Sequence, residues 1–185
     1  MSIDQAGKKD KKNDGRDLLQ KHLKDAFLMQ ILKELSLVKG HTRLLVLVTH
    51  SFIELLVNAL VDHYLKNSKK VTSDVRSYPH STKILLLNEL GIIEDSQYKV
   101  FDWFRKLRNK AAHQPIFQVT KNELKNISPK KYREPDNFYD LCIELIGGFW
   151  NQHIPIFGPK FAPGLGGKND ESKQVRIKKC QKNFI

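Results

Sequence analysis

The chain has 185 residues, 40% of them hydrophobic, which suits one domain with a sizeable core and flanking tails. A formal net charge of +12 and an isoelectric point near 9.7 favour polyanionic partners, either nucleic acid or an acidic membrane surface. Its two cysteines, Cys142 and Cys180, lie far apart with no CxxC, which argues against a disulfide framework or zinc site and for a reducing cytoplasm.

Residues 1–17 read as a disordered, mixed-charge tail with no apolar run for a secretory signal. Apolar residues then recur at helical spacing from Leu18 to Val38, and Gly40 ends that helix. Thr42 or His41 opens a long second helix running to about Leu65. Its stretch "LLVLVTHSFIELLVNALV" has spanning length, but His50, Glu54 and Asn58 interrupt it, and such residues are costly at mid-bilayer. It reads as the central helix of a soluble bundle, with no membrane partner.

"KNSKKVTSDVRSYP" reads as a polar loop. "STKILLLNELG" follows as a shorter helix closed by Gly91. The fourth helix starts near Asp95 and Ser96, either of which can cap it, and Pro115 stops it. The basic stretch from Lys121 to Arg133 carries a capping box, Thr120 with Glu123. A fifth helix begins at Pro135 and covers "DNFYDLCIELIGGFWNQH". From Pro155 the proline and glycine density predicts an irregular C-terminal tail over 155–185, with seven basic residues against two acidic. That charge suits nucleic acid or lipid headgroups, but plain solubility accounts for it at least as well. The expected architecture is all-α, an up-and-down four- to five-helix bundle over 18–154.

On a wheel at about 100° per residue, Val100, Phe101, Phe104, Leu107 and Ala111 of the fourth helix form one apolar stripe. Arg108 falls within it. Asn109 and His113 share a neighbouring polar face, bordered by Arg105. An arginine among apolar residues needs a carboxylate, a carbonyl or an external anion. His50, Glu54 and Asn58, spaced four apart on the second helix, offer a partner face, and Glu54 is expected to hold Arg108. His113 sits in the last turn, where free carbonyls and the negative end of the helix dipole suit a cation. A histidine beside a fixed arginine suits phosphodiester chemistry: one group takes the 2′-hydroxyl proton, another protonates the leaving oxygen, and arginine stabilises the phosphorane. A histidine at a helix end is also commonly structural.

The stretch "LRNKAAH", Leu107 to His113, resembles the signature of the HEPN superfamily, the higher-eukaryote and prokaryote nucleotide-binding helical bundles. That signature is an arginine, an adjacent polar residue, and a histidine after four to six positions. "HSFIELLVNALV" and "TKILLLNELGIIEDSQYKVFDWFRKLRNKAAHQP" are similar to its mannitol-repressor-like and related bacterial branches. The likeness covers roughly Leu18 to His153. It implies a HEPN-like bundle acting as a metal-independent endoribonuclease of toxin–antitoxin, phage-defence or RNA-processing type. Such proteins act as homodimers in which two motifs converge, with no cofactor and no metal. Arg108 and His113 would be catalytic with Asn109 beside them, supported by Glu54, His50 and Arg105. Lys121, Lys125, Lys130, Lys131 and Arg133 would hold the RNA backbone, although such lysines also suit a solvated loop. An antitoxin or regulatory protein partner is a further expectation. The mannitol-repressor-like branch implies the alternative, a non-catalytic regulatory or interaction protein. Trp103 and Trp150 read as core or interface anchors and Cys142 as a buried hydrophobe. His22, His41, His63, His80 and His153 show no ligand spacing and receive no role.

Overall fold

The computed structural model describes residues 26–161. The tail expected over 1–17, the first turns of the first helix, Cys180 and most of the basic C-terminal segment lie outside these residues. Among the described residues every regular element is helical. They are α1 (26–37), α2 (Thr42–Tyr64), α3 (Ser68–Ser73), α4 (His80–Glu89), α5 (Asp95–His113), α6 (Lys121–Leu124), α7 (Phe138–Gln152) and α8 (Ile154–Phe161). Two short 3-10 turns, Lys130–Arg133 and Pro135–Asn137, lead into α7.

The centre is α2, which packs against α3, α4, α5, α7 and α8. Its apolar residues wrap most of its circumference, and Leu45, Val46, Ile53, Leu56, Val57, Leu60 and Val61 are buried. It is long and apolar enough to cross a membrane by length and composition, yet 56% of its most apolar stretch is buried inside the fold. α5 buries Phe101, Phe104, Leu107 and Ala111, a stripe at helical spacing. Phe101 meets Phe149 of α7 edge-on at 4.8 Å between ring centroids, and Phe104 stacks near Phe138 at 6.3 Å.

Four element boundaries differ from the sequence expectation. Residues 68–73 of the polar run form a helical turn and a half that drops Val71 into the core, with Thr72 Oγ1 donating to the Ser68 carbonyl at 2.9 Å. α5 is capped by Glu94 rather than by Asp95 or Ser96. The Glu94 side chain takes the Gln97 backbone N–H, and Gln97 returns a bond to the Glu94 backbone. Pro135 opens a 3-10 turn, and α7 itself begins at Phe138. The chain also continues as α8 where an irregular tail was expected. Pro155 is tolerated because it stands in the first turn, where its missing N–H has no intrahelical partner. Ile156 and Phe157 are buried, and Phe161 stacks on Phe27 of α1 at 4.5 Å with the rings 2° from parallel. Other boundaries agree. Gly91 follows α4 with φ +65, and Thr120 and Glu123 form the capping box of α6.

Candidate functional site

α5 carries the motif on its last two turns. It stops at His113 because Gln114 turns extended (φ -86, ψ 129) before Pro115. Arg43, in the first turn of α2, donates from one guanidinium nitrogen to the carbonyls of Gln114 and Pro115, both at 2.8 Å. The exit of the chain behind His113 is thereby tied to the start of the central helix. Arg43 was missed in the sequence. The available signal was its position: a cation in the first turn of a helix opposes the dipole and so serves some other segment.

Arg108 and Asn109 are half-buried, and the Arg108 guanidinium donates to Asn109 Oδ1 at 3.3 Å. His113 is exposed and makes no hydrogen bond to either of them within one chain. Arg105 is held by Asp102 through Nε at 3.0 Å and a terminal nitrogen at 2.8 Å. Lys106 adds a third bond to Asp102, on Oδ2 at 2.7 Å. Burial works against the Asp102 charge, but these two cations hold its carboxyl below the usual range.

The expected Glu54–Arg108 pair does not form. Glu54 is half-buried on α2 and makes no ion pair among the described residues. The polar face of α2 instead meets α4. Asn58 Oδ1 accepts from the Lys83 ammonium at 3.0 Å, and the His50 ring meets the His80 ring edge-on at 4.9 Å. Burial pushes His50 down to about 4, helped by the charges of Arg108 and then Arg105. Burial pushes His80 down to about 3, with His50, Lys83, Arg105 and Arg108 adding to the effect. His80 had received no role and Lys83 had gone unremarked. Both share a helix face with Ile84 and Leu87, at spacings of three, four and seven from His80, and that register marks them as inward.

The five basic residues expected to hold a nucleic-acid backbone divide. Lys125 and Lys130 are exposed and make no ion pair among the described residues. Lys121 is exposed but paired with Glu134 at 2.6 Å. Lys131 lies over the Tyr132 ring at 4.5 Å. Arg133 is half-buried and donates from Nε to the Ile127 carbonyl at 2.8 Å, so it braces its own loop. Trp103 anchors α6 by donating to the Glu123 carbonyl at 3.1 Å, and Lys110 pairs with the Glu123 carboxylate at 3.3 Å. Trp150 is fully buried. Cys142 is buried too, and burial pushes its thiol up to about 12, leaving no nucleophile at neutral pH. Among the described residues no group of three or more His, Cys, Asp or Glu side chains is arranged to hold a metal ion.

The chain matches no protein-family model, no curated protein and no solved structure.

Proposed function

We propose that this chain is a HEPN-like endoribonuclease or RNA-binding protein of the cytoplasm, working through Arg108, Asn109 and His113. One observation carries the reading. Arg108 is half-buried without a carboxylate of its own, steadied by Asn109, and the exposed His113 lies just beyond it on the same helix. A purely structural arginine is expected to end on a carboxylate or a run of carbonyls. This one keeps donors for an outside anion.

The chemistry follows from those groups. His113 takes the proton of an RNA 2′-hydroxyl as that oxygen bonds to the adjacent phosphorus. The bond from phosphorus to the 5′-oxygen breaks, and an acid returns a proton to that oxygen. Arg108 stabilises the extra negative charge of the phosphorane, with its guanidinium oriented by Asn109. The products are a 2′,3′-cyclic phosphate and a 5′-hydroxyl. Within one chain His113 bonds to neither partner, so the reading calls for a homodimer in which the second copy of the motif supplies the acid. Lys125 and Lys130 lead the backbone contacts.

The test is cleavage of a labelled single-stranded RNA in EDTA. Wild type is expected to leave cyclic-phosphate ends, and His113→Ala and Arg108→Ala to lose about 100-fold or more in rate. Folded wild type that cleaves nothing in a varied RNA pool would overturn the nuclease. The regulatory protein like the mannitol operon repressor would then stand, with the motif as an anchor for a partner or ligand.

A further inference from the structure

Behind the motif, polar groups from α2, α4 and α5 meet in a cluster that RNA cleavage does not use. His50 is 5% exposed and His80 7%. Nε2 of His50 and both ring nitrogens of His80 have no hydrogen-bond partner. Buried polar atoms are nearly always bonded, so three orphans on two facing rings call for an explanation. Lys83 is 1% exposed, and its ammonium meets the neutral Asn58 Oδ1. An ammonium has three donors, and a buried one ordinarily ends on a carboxylate. Arg105 and Arg108 lie close enough for their charges to act on both histidines. Two acids lie near: Asp102, already shared between Arg105 and Lys106, and half-buried Glu54, which stands one turn from both His50 and Asn58 on α2 and makes no ion pair among the described residues. α4 opens at His80 with no acidic residue in its first turn and no side-chain cap, so the positive end of its dipole is uncompensated.

We propose that Lys83, His80 and His50, around the first turn of α4, form a binding site for a terminal phosphate group or free phosphate, with the Arg108 charge nearby. The charge and the donors select an anion with several acceptor oxygens. The enclosure selects its form: a phosphodiester inside a nucleic-acid chain carries a sugar on each side and does not fit among side chains this deeply buried. A small dianion or a terminal phosphomonoester, with three or four free oxygens for these donors, asks for the least room there. The ligand is therefore chemically distinct from the RNA linkage proposed for the motif. The inference does not rest on that reading, although the Arg108 charge acts on both.

The experiment uses the full chain without RNA. Inorganic phosphate is titrated at constant ionic strength against chloride, at low millimolar concentration and neutral pH. The readouts are the imidazole nitrogen resonances of His50 and His80 and the melting temperature. Saturable movement of both rings, with a rise in melting temperature over the same range, is the expected result. Lys83→Met and His80→Phe are expected to weaken binding about tenfold or more, and the surface control Lys99→Ala to leave it unchanged. A parallel titration with adenosine 5′-monophosphate separates the sources: tighter binding than phosphate assigns a nucleotide, equal or weaker binding assigns free phosphate. Ring resonances of wild type that stay still under both ligands overturn the site, whatever the variants do. So does a melting shift of equal size in wild type, Lys83→Met and His80→Phe, which is general salting-out. Cleavage of RNA by a protein that ignores phosphate would sink this inference alone.

Discussion

His50 and His80 are neutral in the folded chain because burial among cations leaves no place for two further positive charges. In the unfolded chain both titrate near 6.5. Their folded values are depressed to about 4 and about 3, so between 6.5 and those values the unfolded state binds more protons. Stability from the neutral pair is therefore full above pH 6.5 and is lost progressively as the pH falls from 6.5 to the folded values of about 4 and 3. The slope is up to ~1.4 kcal/mol per histidine per pH unit. In chloride buffer, urea unfolding is expected to show about 1–3 kcal/mol less stability at pH 5.5 than at pH 7.5. His80→Phe, which removes one titrating ring, should flatten that difference by about half. An unfolding midpoint indifferent to pH over this range would mean that the rings are solvated and the cluster is open. The same depression predicts a reversal with an anion present, since a bound phosphate favours the imidazolium forms.

At the scale of elements, the parts legible in the sequence were those whose periodicity or punctuation is self-sufficient. α2 announces itself by apolar residues on nearly all sides, and α5 by the 101, 104, 107, 111 stripe. Gly91 marks the end of α4 because a left-handed residue is needed there. The parts not legible depend on partners distant in sequence. α3 has one buried residue, Val71, and no pattern reveals that a neighbour covers it. α8 contains Pro159, which removes a helical hydrogen bond and crowds the carbonyl four residues back. That cost is offset by tertiary packing: Phe157 lies against Phe149 at 5.7 Å and Trp150 at 5.4 Å. Phe157→Ala is accordingly expected to cost about 3–5 kcal/mol, and Pro159→Ala to cost nothing or to stabilise, in urea or thermal unfolding of the full chain. If Phe157→Ala unfolded at the wild-type midpoint, α8 would be no part of the cooperative core.

At the scale of the whole molecule, a helical wheel could group Arg108, Asn109 and His113, and could show that His50, Glu54 and Asn58 share a face. It could not say which cation from another helix that face would meet, because that is set by how α2, α4 and α5 pack. The answer was Lys83 rather than Arg108. The net charge of +12 needs the same sorting before it can be read as affinity for nucleic acid. Arg133 is engaged by a carbonyl, Lys121 by Glu134, and Lys110 by Glu123. Exposed pairs of the last two kinds contribute little stability and can re-form with solvent, but they already have a counter-charge. Lys125 and Lys130 have none among the described residues, and they carry the sharpest prediction. For single-stranded RNA each neutralised phosphate contributes about 0.7 to the slope of log affinity against log salt. The double variant Lys125→Ala, Lys130→Ala should therefore lower that slope by about 1.4 and weaken binding most at low salt. Arg133→Ala should instead lower thermal stability, with the slope unchanged, because its guanidinium braces the loop. Fluorescence anisotropy of a labelled RNA across a salt series separates the two outcomes. A double variant with the wild-type slope would show that the positive face of this bundle lies elsewhere.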